Sequence, residues 1–139
     1  MNKDKIVSLI DKLAEETKSS KIKWDRIVNI DDSYSDNKML RLYLNIAEKE
    51  FFGNIISEKI VKETSYYTKY KGGNVMLLGM YDFFQEKDVF MIAVQNDNNA
   101  KVSPLNTTDI YQSELMRLQF LIEEQLSDVN GFIDSILDD

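Results

Sequence analysis

The chain has 139 residues, 43% of them hydrophobic and 11% aromatic, with a formal net charge of −7. That apolar content suits one folded domain over residues 1–139, and the acidic balance excludes a general nucleic-acid coat, so no extended nucleic acid is expected as a partner. Histidine and cysteine are both absent, which removes Ser-His-Asp and Cys-His catalysis, ordinary structural zinc, iron–sulfur clusters, His-ligated haem and any disulfide framework.

No run approaches the ~18 apolar residues of a membrane-spanning helix, and the N-terminus lacks a signal-like apolar region, so the chain reads as cytoplasmic with no membrane partner. From Asn2 to Ser19, Ile6, Leu9, Ile10, Leu13 and Thr17 recur at helical spacing and predict an amphipathic helix. Ile22, Trp24 and Ile27 then form a turn that pins it to the core. Asn29 to Asn37 is polar and turn-like, with Asp36 or Asn37 as a cap for the next helix. Lys38 to Phe51 carries Leu40, Tyr43, Leu44, Ala47 and Phe51 on one stripe. Met39, Leu42 and Ile46 widen it, so burial on more than one side is expected. Gly53-Asn54 is a stop signal. Ile55 to Lys62 fits helix and strand equally.

The period then changes to two. Thr64 to Lys71 and Asn74 to Tyr81 flank Gly72-Gly73, a hairpin signal because such turns need positive φ. Gln85 to Asp88 turns the chain into Val89 to Gln95, a nearly continuous apolar run expected to be covered on both faces. Asn96 to Asn99 ends the sheet, and Asn106, Thr107 and Thr108 offer caps to a long final helix. Its stripe is Tyr111, Leu115, Leu118, Ile122 and Leu126. Gly131 interrupts it before a last amphipathic turn with Phe132, Ile133, Ile136 and Leu137. The expected architecture is α+β: two N-terminal helices, a three-stranded antiparallel meander, and a long C-terminal helix packed on the sheet.

Two surfaces stand out as binding candidates. Residues 59–71 carry a net +3. There Tyr66, Tyr67, Lys69, Tyr70 and Lys71 combine rings that stack on a base with ammonium groups that neutralise a phosphate, which suits a nucleotide or other small anionic ligand. The bland alternative is a plain hairpin with one tyrosine face in the core and lysines guarding an edge. Residues 110–139 carry −6, with Glu114, Glu123, Glu124 and Asp128 as the candidates for meeting a basic protein partner. Their bland alternative is a solvated helix face.

Lys71-Gly72-Gly73-Asn74 lacks the spacing and terminal Lys-Ser/Thr of a phosphate loop. Asp31, Asp32 and Asp36 share one loop and Asp97 sits among asparagines, but neither group matches a calcium loop. No metal site, cofactor or catalytic set is therefore expected. Exposed sheet edges and an amphipathic helix make a homo-oligomer plausible.

The run Ser65-Tyr66-Tyr67-Thr68-Lys69-Tyr70-Lys71-Gly72-Gly73 with Val75 to Leu78, together with Tyr111 to Leu115 and Leu126 to Asp134, resembles small acidic proteins of low-GC Gram-positive bacteria and their mobile elements. No catalytic residue comes with that resemblance. It implies a setting in which immunity and phage counter-defence proteins are frequent. The leading expectation is a non-enzymatic binding protein that sequesters or inhibits a partner. A small-molecule binder using the Tyr/Lys hairpin is the alternative, and a metal-dependent enzyme comes third.

Overall fold

The computed structural model describes residues 3–29, 37–49, 58–105 and 111–138. Helix α1 runs Lys3–Lys18. Its stripe buries Ile6, Ile10, Leu13 and Thr17, as the spacing predicts, with Leu9 only half-buried and Ala14 buried in addition. The Thr17 hydroxyl donates to the Leu13 carbonyl (2.6 Å) and accepts from the Trp24 indole N–H (2.8 Å). A buried indole needs such a partner, and this one fastens the post-helix turn onto α1. A two-residue strand, β1 (Asp25–Arg26), and a 3-10 turn (Ile27–Asn29) follow.

Helix α2 runs Lys38–Lys49. Its first turn is capped by Asn37, whose side-chain oxygen accepts from the Leu40 N–H at 3.1 Å. Leu40 and Leu44 are buried and Tyr43 half-buried, but Leu42 is 51% exposed. Burial on several sides is therefore corrected for this part of the helix. Leu42 lies about 200° round the axis from Leu40, on the solvent side of a helix that packs by one face. Phe51 and the Gly53-Asn54 stop lie outside the described residues, as do Asp31, Asp32, Asp36 and the caps at Asn106 to Thr108.

The sheet has five antiparallel strands, not three, in the order β1-β2-β3-β4-β5: β2 is Glu58–Tyr70, β3 Gly73–Asp82, β4 Lys87–Gln95 and β5 Ser103–Pro104. The expected meander is its centre. The two added edge strands are two residues each, too short to show a period of two. The ambiguous stretch before Lys62 is strand from Glu58 onward. It escapes the pattern because the β2–β3 register breaks between Val61, opposite Gly79, and Tyr66, opposite Leu77. At this bulge the Ser65 hydroxyl donates to the Val61 carbonyl (2.7 Å) and accepts from the Gly79 N–H (2.9 Å). The hairpin loop is Lys71-Gly72 rather than Gly72-Gly73: Tyr70 pairs with Gly73, and the positive φ angles are 49° at Lys71 and 82° at Gly72. The next loop is likewise Phe83 to Glu86.

Strand alternation sends side chains to two cores. Tyr66, Val75, Leu77 and Ile92 pack under α1 and a third helix, α3 (Gln112–Ser127), through Leu115, Leu118 and Ile122. Met76, Leu78, Met80, Val89, Met91 and Ala93 pack on the other face with Ile27, Leu40 and Leu44. The central sheet is covered on both faces, which explains the unbroken apolar runs of β3 and β4. A buried amide network holds the second layer in place. Asn37 and Gln95 exchange reciprocal side-chain bonds of 2.9 Å, and the Asn74 amide donates to the same Gln95 oxygen at 2.9 Å. Where β5 stops, the Gln112 amide substitutes for it on the β4 edge, accepting from the Phe90 N–H and donating to the Phe90 carbonyl, both at 2.8 Å.

The long C-terminal helix is in fact two. α3 ends at Ser127, Asp128 takes a left-handed conformation (φ 45°, ψ 50°), and α4 runs Val129–Leu137. The break falls at Asp128, three residues before Gly131. Every α4 side chain from Phe132 to Leu137 is exposed.

Candidate functional site

Three successive residues of α3 divide the chemistry of the C-terminal surface. At about 100° per residue they point in three directions. Ile122 enters the core and is fully buried. Glu123 turns toward the sheet edge, where Arg26 of β1 meets it in a bidentate pair (2.7 and 2.8 Å) and the Tyr66 hydroxyl donates to it at 2.6 Å. Gln119 donates to the Tyr66 oxygen at 3.1 Å, and the guanidinium sits 5.7 Å from the Tyr66 ring centre. Arg26 holds the Glu123 carboxyl below the usual carboxylate range, and Glu123 raises Arg26 in return. Burial first, and then the carboxylate, pushes the Tyr66 phenol up.

The other hairpin residues are divided between the two faces. Tyr70 is half-buried on the helix face and donates to Glu16, which lowers Glu16 and raises Tyr70. Tyr67 is half-buried against the opposite core. Lys69 and Lys71 are exposed, with the Lys71 ammonium 5.8 Å from the Tyr70 ring centre. The tyrosines thus serve two different layers and form no common stacking platform.

Glu124, next to Glu123, is exposed. It lines a cleft of about 470 Å³ with Ser20, Lys23, Gln125, Asp128 and Asn130, where the end of α1 meets the α3–α4 break. Local geometry builds this cleft. Glu124 and Asp128 are four residues apart and share one side of the last α3 turn. Gln125 accepts from the Trp24 N–H (2.8 Å) and donates to the Ile22 carbonyl (2.9 Å), tying the wall at 20–24 to α3. Asp128 caps α4 by accepting from the Gly131 N–H at 3.3 Å. A Cβ at 131 would lie 2.3 Å from the Asp128 carboxylate, so any larger residue there would displace that side chain. Two carboxylates face one ammonium, Lys23, and among the described residues neither Glu124 nor Asp128 makes an ion pair. The cleft suits the head of a cationic side chain, with amide and hydroxyl acceptors beside the charges.

Glu114 is placed elsewhere. It is exposed in the first turn of α3, about 15 Å along the axis from Glu124, and accepts from the Ser113 hydroxyl at 3.1 Å. A carboxylate there complements the helix dipole. Of the four acidic candidates, the structure brings Glu124 and Asp128 together, spends Glu123 internally and leaves Glu114 apart. Sequence reasoning missed Arg26, Gln119 and Gln125. Glutamine flanking an acidic pair on a helix carries no signal until the strand beside it is known.

A second cleft, about 420 Å³, lies at the open end of the sheet between Lys59, Lys62, Glu63, Tyr81, Phe83 and Asp88. Among the described residues no group of three or more carboxylates is placed to hold a metal ion, and no helix is long and apolar enough to cross a membrane. No family model matches this chain, and no curated protein or solved structure matches it.

Proposed function

We propose that this chain is a non-enzymatic binding protein that occupies a basic partner protein in the cytoplasm, as toxin-immunity and phage anti-defence proteins do. In this reading the cleft at the α1–α3–α4 junction receives a Lys or Arg of that partner. The observation that supports it is the pairing of Glu124 and Asp128, both without an ion pair among the described residues, on the wall of one preformed cleft. A desolvated charge-assisted contact of this kind anchors an interface, while the surrounding acidic surface speeds encounter. The nucleotide or anion alternative on the hairpin has less support, because the Tyr66 and Tyr70 hydroxyls already serve Glu123 and Glu16.

Titration with N-acetylarginine methylamide, followed by amide chemical shifts, tests the reading. Shifts are expected at Ser20, Lys23 and 124–130. They are expected to vanish in a Glu124→Gln/Asp128→Asn double variant, in which Asn still caps α4. Shifts scattered along the whole acidic surface, or unchanged in the variant, would overturn it. With a basic partner protein, the association rate is expected to fall steeply with added salt.

A further inference from the structure

The second cleft, at the open end of the sheet, is built by strand register. On β3, Val75 and Leu77 face the core beneath α1 and α3. Alternation puts Gly79 and Tyr81 on the same face. Tyr81 is opposite Lys59 on one side and Asp88 on the other. A cation, a ring and an anion therefore stand in one row, with neighbouring Cβ atoms about 5 Å apart. The row lies beyond Phe90, the outermost β4 side chain packed against the helix-covered core. The β2 bulge supplies one wall. A Cβ at Gly79 would lie 2.5 Å from the Thr64 carbonyl oxygen, so the bulge leans over the sheet here and sets Lys62 and Glu63 on the cleft lining. Phe83 supplies a second wall, its ring centre 5.1 Å from that of Tyr81 and its plane at 79° to it. The two rings make a corner for a flat ligand.

We propose that this cleft binds a nucleoside monophosphate whose base carries paired N–H donors, as guanine does. The base lies against Tyr81 and Phe83, its donor edge meets the Asp88 carboxylate, and the phosphate meets Lys59 and Lys62. Three observations favour this ligand. The first is span. The row crosses two interstrand spacings, about 10 Å, which is the reach of a mononucleotide from its phosphate to the far edge of its base. The second is donor and acceptor chemistry. A carboxylate accepts two parallel N–H bonds from adjacent atoms, which guanine offers and adenine does not. Among the described residues neither Asp88 nor Glu63 makes an ion pair. Each ammonium carries three donors, so Lys59 and Lys62 can hold a neighbouring group and a phosphate oxygen at once. The third is charge and size. The chain carries −7 overall, yet residues 59–71 carry +3. A local positive patch on an acidic chain suits one small anion rather than an extended nucleic-acid strand. A cleft of about 420 Å³ is within the range of small-molecule sites.

This inference is independent of the arginine cleft, and its test keeps the two apart. GMP is titrated into the purified chain and followed by calorimetry and amide chemical shifts. Binding is expected to saturate below about 1 mM, with shifts at residues 59–64, 79–83 and 88. AMP and ribose 5-phosphate are expected to bind at least about tenfold more weakly. Asp88→Asn is expected to weaken GMP by about 10- to 100-fold and to leave ribose 5-phosphate unchanged. Lys59→Gln is expected to weaken both. Asp88 and Lys59 are exposed, so the urea midpoint of either variant stays that of the wild type. The Glu124→Gln/Asp128→Asn variant is expected to bind GMP as the wild type does, so a failed arginine response leaves this site standing. No GMP binding at about 5 mM overturns the proposal. So does equal binding of AMP or ribose 5-phosphate, unchanged GMP affinity in Asp88→Asn, or shifts centred on Lys69 and Lys71 instead.

Discussion

Glu123 and Glu124 are adjacent, chemically identical and drawn from the same acidic segment, yet they belong to different parts of the molecule. Glu123 closes a structural junction in which a helix, an edge strand and a hairpin tyrosine share one carboxylate. Glu124 faces solvent from the wall of a cleft. One step of helix rotation separates a carboxylate that holds the fold from one free to meet a partner. Counting charges along a segment therefore overstates its binding surface, because part of that charge is spent inside.

Substitutions across this stretch should separate the roles, with urea denaturation as the measurement. Ile122→Ala, at a fully buried position, is expected to cost about 2–5 kcal/mol. Glu123→Ala is expected to cost about 1–3 kcal/mol, since the pair is roughly one-third exposed and screened. That effect should also depend on pH. Folding lowers the Glu123 pKa from the ordinary value near 4.5. Its contribution is therefore complete above that value and lost as the pH falls through the lowered one. Wild-type stability should decline below about pH 4.5 more steeply than that of Glu123→Ala, and parallel curves would argue that the junction is not energetically coupled. Lys71→Asn, which places a residue suited to positive φ beside Gly72, is expected to stabilise by about 0.5–1 kcal/mol. Smallest of all, Glu124→Gln should move stability by less than about 0.5 kcal/mol while removing the arginine response of the cleft. A loss comparable to that of Glu123→Ala would erase the distinction.

Much of the fold was legible beforehand. The α1 stripe, the Asn37 cap, the meander at the centre of the sheet and the amphipathic α3 all follow from spacing and cap chemistry. The Lys71-Gly72 turn lies one residue from the expected Gly-Gly pair, because a lysine accepts the first left-handed position. Strands β1 and β5 were not legible, since two residues carry no period. The bulge at Ser65 hid the first half of β2 by interrupting its alternation. The site was only half legible: the acidic segment was evident, but its division was not.

By itself the sequence determined the order of the main helices and the three central strands, the two-sided burial of β4, and the exclusion of histidine and cysteine chemistry. These depend on side-chain identity and short-range periodicity. Only the tertiary structure decided that Tyr66 and Glu123 are partners across 57 residues, that Glu124 and Asp128 share a cleft, and that α4 leaves its apolar stripe uncovered. Those outcomes depend on which distant backbone lies beside each helix face. Packing, not spacing along the chain, sets that.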